Sequence, residues 1–283
     1  HIIGDTVISL TDVLRHRPYP DVINLGAGQM DCHRRIASDW IRVGLLIPQM
    51  PTEVPLRAVT PKGLENILVG GKAFSIKHDV MYNMRNMPDL ENLGGAMGVV
   101  AAYAIKDGVT PRKVNLQKVQ KRLVDVGTLL PEMLTREIND KPLDNEEEIR
   151  QWVKKLDGRP LYDWYDIQMA KEDEPGFRQK IPFVEVCTAE PSITIPILEQ
   201  ELVTSSGDRQ VQIAQALSMF GVKTGVPVLI AAIEKQIADK NVPPDYASLP
   251  KLRGGDGNRR IPPTDLLNSL AMCRDSRSLG VWE

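Results

Sequence analysis

The sequence predicts an α/β N-terminal domain, built from short strands and a glycine-rich helix, followed by an all-α helical-repeat domain. Three observations lead to this fold class. The 283 residues are enough for two domains of ordinary size. Apolar residues make up 42% and charged residues 25% of the chain, which is the balance of an ordinary globular protein. Strand-like runs and glycines are concentrated in residues 1–140, whereas regular amphipathic helices dominate residues 141–283.

The charge balance argues against two classes of partner. Lys and Arg number 35 against 37 Asp and Glu, which gives a net charge of −2. A nucleic-acid-binding protein normally carries an excess or a stripe of basic residues, and this sequence has neither. No segment approaches the ~18 consecutive apolar residues of a membrane-spanning helix. We therefore expect neither a nucleic-acid partner nor a membrane span.

Cysteine and histidine give little sign of a metal centre. Cys32, Cys187 and Cys273 lie far apart in the sequence, and we interpret them as free or buried thiols. Although Cys32 and His33 are adjacent, a zinc site normally needs a second pair of ligands at short spacing, and the sequence lacks one. We predict no metal site.

The N-terminal part contains the clearest signals of local structure. Residues 52–59 alternate as an edge strand does, and Pro61–Gly63 is a turn. The apolar run Asn66–Val69 predicts a short buried strand that ends at two glycines. A helix is predicted from Asp89, as its cap, to Lys106, with Gly108 just beyond its end.

Three glycines within the predicted long helix call for a physical reason. Gly94, Gly95 and Gly98 fall within about one and a half turns, and each costs ~1 kcal/mol in a helix interior. Two explanations remain open. The glycines allow another backbone or a flat ligand to approach the helix closely, or they serve tight packing of the helix on a sheet.

The C-terminal part begins after a polar, acidic connection at residues 137–148. Either Asp144 or Asn145 is expected to cap the helix that follows. Amphipathic helices are then predicted at 193–204, at 208–220 with Asp208 as its cap, and at 225–238. Short breaks join these helices, a pattern that favours stacked helical hairpins. The third helix is expected to bury Leu229, Ile230, Ile233 and Ile237.

An ordered series of residues in the first part carries a family resemblance. It runs from Val54 to Lys72, continues through Ser75, His78, Arg85, Met87 and Pro88 to the motif Gly94-x-Ala96-x-Gly98, and ends at Ala104–Arg112. Over about residues 5–130, the sequence resembles the C-terminal, FAD-binding half of FAD-dependent oxidoreductases, in the group of fumarate-reductase and glutathione-reductase-type flavoproteins. The fold class then becomes a partial α/β FAD-binding domain followed by helical repeats.

The resemblance implies FAD as the cofactor and assigns roles to individual residues. His78 would be the catalytic base and Arg85 an electrostatic clamp, although a structural histidine and a surface ion pair are the alternatives. Lys72 and Lys77 either touch phosphate or face solvent. Tyr82 stands where the family tends to carry a small residue, so it alters the substrate pocket. The residues that would contact the cofactor are Gly70, Gly71, Gly94, Gly95, Ala96, Met97 and Gly98. A reduced flavin carries negative charge, so we expect the glycines of the long helix to lie near its N-terminus, where free N–H groups and the positive end of the dipole would favour that charge.

One part of the family pattern is missing from these residues. The dinucleotide-binding fingerprint G-x-G-x-x-G does not occur, and we interpret the segment from Gly26 to Asp31 as a loop. The chain begins at His1 without Met or a signal segment, so we expect a processed or incomplete N-terminus and assign no compartment. The resemblance then implies a second polypeptide or segment that carries the missing dinucleotide-binding half of the FAD site.

Two functions follow from these observations. The first is the C-terminal portion of an FAD-dependent oxidoreductase, which would transfer hydride from a small polar substrate to the flavin. The second rests on the helical part, where residues 208–217 are similar to a HEAT-type repeat. That similarity implies a non-catalytic interaction or scaffold subunit of a larger complex.

Overall fold

The computed structural model divides the chain into two compact units. It describes residues 1–26, 28, 39–43, 51–161, 180–240 and 260–282. The first unit comprises His1–Ile36 and Gln49–Asp140, and the second comprises Ala37–Pro48 and Lys141–Glu283. The sequence prediction placed residues 37–48 in the first domain, whereas the structure groups them with the second unit.

Helices dominate the described residues of both units, and a single pair of strands is described. The elements in chain order are α1 (Leu10–Leu14), β1 (Val22–Gly26), α2 (Asp39–Arg42), β2 (Thr52–Pro55), α3 (Leu56–Val59), α4 (His78–Met84), α5 (Met87–Asp107), α6 (Leu116–Asp125), α7 (Glu146–Lys154), α8 (Pro182–Thr188), α9 (Pro191–Thr204), α10 (Gly207–Met219), α11 (Val226–Ala238), α12 (Pro263–Cys273) and α13 (Leu279–Trp282).

The core of the first unit lies where α5 and α6 pack against β1. β1 and β2 pair in antiparallel fashion, with Leu25 opposite Glu53 and an irregularity near the start of β1. α5 buries Leu93, Ala96 and Val100 on one face, at the spacing of three and four residues that a helix requires. The small Ala96 allows a close approach on this core side of the helix.

The long helix α5 matches the sequence prediction in position and end. It begins at Met87 with Asn86 as its N-cap, so the prediction that Asp89 caps this helix is wrong, and Asp89 lies in its first turn. Pro88 fits this first turn because it needs no hydrogen-bonding N–H there. It ends at Gly108, which has a φ of +64° and closes the helix in the left-handed conformation. The prediction that Gly108 ends this helix is confirmed.

The strand predicted at residues 66–69 is wrong. Asn66 has a φ of +57°, which interrupts any extended run, and the Ile67 side chain is exposed rather than buried. The chain forms a surface loop here, anchored where the Val69 N–H donates to the carbonyl of Val59 at 2.8 Å.

The predicted edge strand at residues 52–59 is shorter than expected, because the chain turns into helix α3 after Pro55. Two hydrogen bonds hold this turn. The Leu56 N–H donates to the backbone carbonyl of Asp21 at 2.7 Å, and the Arg57 N–H donates to the Asp21 carboxylate at 3.0 Å. These contacts take up the N–H groups at the start of α3, which the helix itself leaves without partners.

The second unit confirms the predicted helices and decides the two alternatives for the first cap. The Asn145 side chain accepts a hydrogen bond from the Glu148 N–H at 2.9 Å, so Asn145 rather than Asp144 caps α7. α9 begins at Pro191, slightly earlier than predicted. The N-cap of α10 is Ser206, so the prediction that Asp208 caps this helix is wrong, and Asp208 lies in its first turn.

The buried face of α11 differs from the prediction at its C-terminal end. Leu229 and Ile233 are buried as expected and Ile230 is half-buried, but Ile237 is 59% exposed and Gln236 is only 6% exposed. Gln236 continues the helical spacing of three and four residues on the buried face. Its side chain tolerates burial because its Nε2 donates to the carbonyl of Ile261 at 3.0 Å.

Helix α10 is the centre of the second unit. Every residue from Gln212 to Ser218 is buried, and the helix packs against α8, α9, α11 and α12. Because each of these partners is one or two positions away in the order of helices, the packing follows the chain, as a stacked array requires. The HEAT-type repeat itself stays a prediction. Among the helices that the structure describes, none is both long and apolar enough to cross a lipid bilayer.

Candidate functional site

The glycine-rich segment of α5 forms an open surface on the side of the helix away from the core. Gly94, Gly95 and Gly98 are exposed, whereas Ala96 is fully buried. A Cβ atom placed on any of the three glycines would meet nothing within 4 Å. Tight packing within the described protein therefore does not explain these glycines. We call the surface of Gly94, Gly95 and Gly98 the glycine face.

The predicted glycine pair at the end of the surface loop lies beside the same helix. A Cβ atom on Gly70 would fall 2.5 Å from the Sδ atom and 3.1 Å from the Cε atom of Met97. Gly71 has a φ of +60° and begins a short 3-10 turn, Gly71–Ala73, that packs against α5. The structure thus brings together the two segments from which the sequence predicted cofactor contacts.

The electrostatic reason for expecting a cofactor at the glycine face needs correction. We expected these glycines to lie near the helix N-terminus, where free N–H groups and the positive end of the dipole favour negative charge. α5 begins at Met87, and Gly94 is therefore two turns inside it. Only the first four N–H groups of a helix lack internal partners. What the glycine face offers is an absence of side chains.

The two predicted catalytic residues are brought together by a tyrosine. His78 is the first residue of α4, and its ring meets that of Tyr82 edge to face, with the ring centroids 5.3 Å apart. The Arg85 guanidinium lies 5.0 Å from the centroid of the same Tyr82 ring. Positions 78, 82 and 85 are four and three residues apart, so they share one side of the helical turn. We call them the His78–Tyr82–Arg85 cluster.

Tyr82 had been noted only as a departure from the family pattern, and its contacts with both neighbours were not predicted. The spacing of four and three residues along a predicted helix is the signal that identifies such a cluster. The His78 side chain is 55% exposed, and its Nδ1 lies 3.7 Å from a carboxylate oxygen of Asp79, whose side chain is largely buried. At 3.7 Å this contact is longer than a hydrogen bond, and the Asp79 oxygen accepts none from the described residues, so Asp79 does not select which ring nitrogen of His78 faces other molecules.

A network of hydrogen bonds at the surface holds the loop that leads to Gly70. Arg112 donates from Nε to Asp5 at 2.7 Å and also binds the backbone carbonyls of Pro61 and Leu64. Asp5 accepts a further hydrogen bond from the Thr60 hydroxyl at 3.0 Å. The hydrogen bond from Arg112 lowers the pKa of the Asp5 carboxyl below its ordinary value of 3.8, although desolvation opposes the shift.

Gly28, two residues after the end of β1, has a packing role. A Cβ atom on Gly28 would lie 2.5 Å from the Asn86 amide nitrogen, and the Gly28 N–H donates to the carbonyl of Asn83 at 2.9 Å. Gly28 therefore allows the backbone to pass close to the junction of α4 and α5. The rest of the loop predicted up to Asp31 lies outside the described residues.

The described residues offer no group of three or more His, Cys, Asp or Glu side chains that could hold a metal ion. Cys187 and Cys273 are free thiols. Burial raises the pKa of Cys273 to about 11, so this thiol is protonated at neutral pH. Cys32 and His33, the adjacent pair of possible ligands in the sequence, lie outside the described residues.

Comparison with known proteins gives a family match in the N-terminal part of the chain. Residues 1–123 match the model of a family described as FAD dependent oxidoreductase. That range is under half of the 283 residues, and it includes every predicted site residue, since these lie between Gly70 and Gly98. No curated protein and no solved structure matches the chain significantly. The N-terminal part is thus similar to FAD-dependent oxidoreductases, while the narrower flavoprotein group stays a prediction.

Proposed function

We propose that the first unit forms one wall of the FAD site of an FAD-dependent oxidoreductase. The observation that carries this proposal is the family match over residues 1–123. The open glycine face supports it, because three adjacent positions without side chains leave room for a flat ring system to lie against the helix. FAD would supply the ring that accepts a hydride from the substrate.

The cofactor contacts would come from α5 and from the loop beside it. Gly94, Gly95 and Gly98 would allow the isoalloxazine ring to reach van der Waals distance of the helix. Gly70 and Gly71 would offer backbone groups to the ribityl or phosphate chain. Ala96, on the core side, and Met97, against Gly70, would fix the position of α5 relative to this loop. Lys72 and Lys77 are exposed and remain candidates for phosphate contact.

The chemistry of the substrate would fall to the His78–Tyr82–Arg85 cluster. The imidazole of His78, which is 55% exposed, would take a proton from the hydroxyl or amine of a small polar substrate. Arg85 would attract a negative charge on the substrate as this proton leaves. Tyr82 contacts both side chains and would keep them at a fixed separation.

The other wall of the site would be supplied by a dinucleotide-binding segment or polypeptide. The observation behind this step is the absence of G-x-G-x-x-G from the 283 residues. In this arrangement the chain does not hold FAD by itself, and the flavin lies between α5 and the Gly-rich turn of its partner.

The direct test is a visible absorption spectrum of natively purified protein, combined with the intact masses of all polypeptides in the sample. A flavin spectrum together with a second component carrying the fingerprint supports the proposal. A folded, colourless chain that takes up no added FAD, either alone or with its co-purifying partners, contradicts it.

A pair of matched substitutions then locates the flavin. Gly95→Val places a branched side chain on the glycine face, whereas Ala102→Val places the same side chain at an exposed position of α5 one turn beyond Gly98. We expect Gly95→Val to lose bound flavin and Ala102→Val to keep it, with both proteins folded by circular dichroism. Equal flavin content in the two variants would show that the cofactor does not lie on the glycine face.

The catalytic assignment has a separate test. His78→Ala is expected to lower the rate of flavin reduction by substrate by about 10²–10⁴-fold, the usual contribution of a general base, while flavin content is unchanged. Arg85→Ala is expected to raise the substrate concentration needed for half-maximal reduction. If flavin is reduced at an unchanged rate in His78→Ala, then His78 is not the base. The proposed position of the flavin would still stand in that case.

A second candidate function is a non-catalytic interaction subunit, and the sequential packing of helices in the second unit favours it. The two candidates differ in a simple observable. An interaction subunit is colourless and co-purifies with a partner that binds residues 141–283, whereas the oxidoreductase carries flavin.

A further inference from the structure

The exposed side of α6 carries three cations without an acidic partner. Lys118, Lys121 and Arg122 are exposed, and their spacing of three and four residues places them on one side of the helix. None of the three forms an ion pair with a residue that the structure describes. Asp125 lies on the same side, which leaves this side with a net positive charge. Like charges at this spacing destabilise a helix, so acidic groups from another molecule would stabilise α6.

Apolar side chains continue this surface beyond the end of α6. Val126 follows the helix directly, and its N–H donates to the carbonyl of Arg122 at 3.1 Å. Leu130 and Leu134 belong to a short 3-10 turn and its cap, and this turn packs against α6. The three side chains are between 42% and 48% exposed. We call these three residues, together with Lys118, Lys121 and Arg122, the basic patch, which lies within the first unit.

The start of α7 has the complementary charge. Asp144, Glu147 and Glu148 are exposed, and none of them forms an ion pair with a described residue. They differ in this from Glu146 of the same turn, which is paired with Arg150 at 2.9 Å. Three carboxylates close together therefore remain available to cations of another molecule.

Exposed prolines provide apolar surface beside these carboxylates. Pro142 and Pro191 are exposed, and the chain segments that carry them are joined by a hydrogen bond from the Glu190 N–H to the carbonyl of Leu143 at 2.8 Å. We call the two prolines, together with Asp144, Glu147 and Glu148, the acidic patch, which lies within the second unit. Each patch thus combines apolar groups with unpaired charges, the combination that protein–protein interfaces use.

We propose that the acidic patch of one copy of this chain binds the basic patch of a second copy. Because every copy carries both patches, reciprocal exchange satisfies all four of them in a closed dimer with two-fold symmetry. The apolar residues supply the affinity, since exposed ion pairs alone contribute little. The charges fix the orientation of the two copies and accelerate their association. The proposal is independent of the flavin site.

Sedimentation velocity of the whole chain tests the association itself. We expect a reversible equilibrium between monomer and dimer, with a Kd of about 1–100 µM at low salt, as for a weak interface. Raising the salt concentration from about 50 mM to about 500 mM is expected to weaken the dimer at least tenfold, because salt screens exposed charges.

Matched charge reversals identify the two patches. The first variant carries Lys118→Glu and Lys121→Glu, and the second carries Asp144→Lys and Glu147→Lys. Within each variant both patches then have charge of the same sign, so each variant alone is expected to be monomeric. An equimolar mixture is expected to form a heterodimer, because every patch then meets its opposite. Mixing restores association only if these two patches bind each other between copies.

The apolar contribution and the general effect of charge are tested separately. Leu130→Ser is expected to weaken the dimer about tenfold, whereas Leu279→Ser, at another exposed leucine, is the matched control. A variant with Lys235→Glu and Lys240→Glu changes the net charge as much as the first charge reversal, at exposed positions outside both patches. It is expected to dimerise normally. Circular dichroism verifies that each variant is folded.

Three results would overturn the proposal. The first is a monomer at every concentration up to about 100 µM at low salt, which is also the result if the acidic patch binds within its own chain. The second is a dimer that both charge reversals leave intact. The third is the absence of a heterodimer in the mixture of the two folded variants.

Discussion

Gly70 lies so close to Met97 that a single added methyl group would touch the methionine sulfur. The Cβ position of Gly70 is 2.5 Å from Sδ of Met97, well inside van der Waals contact. This contact joins the surface loop to α5, and both residues belong to the proposed cofactor wall. The backbone of Gly70 is extended, with a φ of −115°, so only crowding by Met97 opposes a side chain there.

The contact predicts coupling between two substitutions. Gly70→Ala is expected to lower the free energy of unfolding by about 1 kcal/mol, because the flexible Met97 side chain must move. Met97→Ala removes the obstacle, so the double variant is expected to be more stable than the sum of the single effects by about 1 kcal/mol. Urea unfolding of the four proteins measures this coupling. Strict additivity would show that the contact does not exist in solution.

A methyl group added to the glycine face is expected to raise the stability of the first unit and to weaken cofactor binding. Gly95→Ala is expected to stabilise the first unit by up to ~1 kcal/mol, since alanine is the better helix former and its Cβ meets nothing within 4 Å. If the flavin lies on this face, the same methyl group reduces flavin retention. Urea unfolding and the absorbance of bound flavin measure the two effects.

Gly280→Ala is a matched control for that substitution. Gly280 lies in α13 of the second unit, and its Cβ position is also open. We expect it to leave flavin content unchanged. A loss of stability in Gly95→Ala would contradict the open surface, and a loss of flavin in both variants would point to an indirect effect.

Structural features that depend only on neighbouring residues could be predicted from the sequence. Gly108 ends α5 because a glycine accepts the left-handed conformation that a helix end requires, and this could be predicted from one residue. Asn66 was missed for a related reason. The apolar run after it favoured a strand, but its positive φ turns the chain. Asparagine adopts this conformation more often than most non-glycine residues, yet too rarely to outweigh the apolar run as a signal.

Contacts between distant residues could not be predicted in the same way. Gln236 is buried because its amide reaches the carbonyl of Ile261, 25 positions further along the chain, and no periodic pattern reveals such a partner. The candidate catalytic residues were identified by resemblance, yet the position of Tyr82 between His78 and Arg85 depends only on helical spacing. The open glycine face required coordinates, because the sequence equally allowed tight packing.

The cap of α7 predicts a difference between two adjacent residues. Asn145→Ala is expected to lower the free energy of unfolding of the second unit by about 1 kcal/mol, because the Glu148 N–H loses its acceptor. Asp144→Ala, one position earlier and also exposed, is the matched control and is expected to have a much smaller effect. Thermal unfolding of the two variants measures the difference. Equal effects would mean that the general loss of polarity, rather than the cap, is responsible.

The hydrogen bonds of Asp5 predict a stability that depends on pH. The Arg112 side chain lowers the pKa of Asp5 in the folded protein below the ordinary value of 3.8, which applies to the unfolded chain. The ionised form is therefore favoured by folding, and its contribution is fully present above pH 3.8. The contribution is lost as the pH falls through the lower, folded pKa, because the carboxyl then becomes protonated in both states.

Asp5→Asn should consequently lower the urea concentration at which half of the first unit is unfolded at pH 7. Below pH 3.8, the difference in this midpoint between the variant and the original protein should disappear. Asp125→Asn, at the exposed end of α6, is the matched control and is expected to change the midpoint little at either pH. A difference for Asp5→Asn that stays constant from neutral to acid pH would show that the uncharged hydrogen bond from Thr60, rather than the ion pair with Arg112, holds Asp5 in place. The loop that leads to Gly70 would then depend on Arg112 only through its bonds to the carbonyls of Pro61 and Leu64.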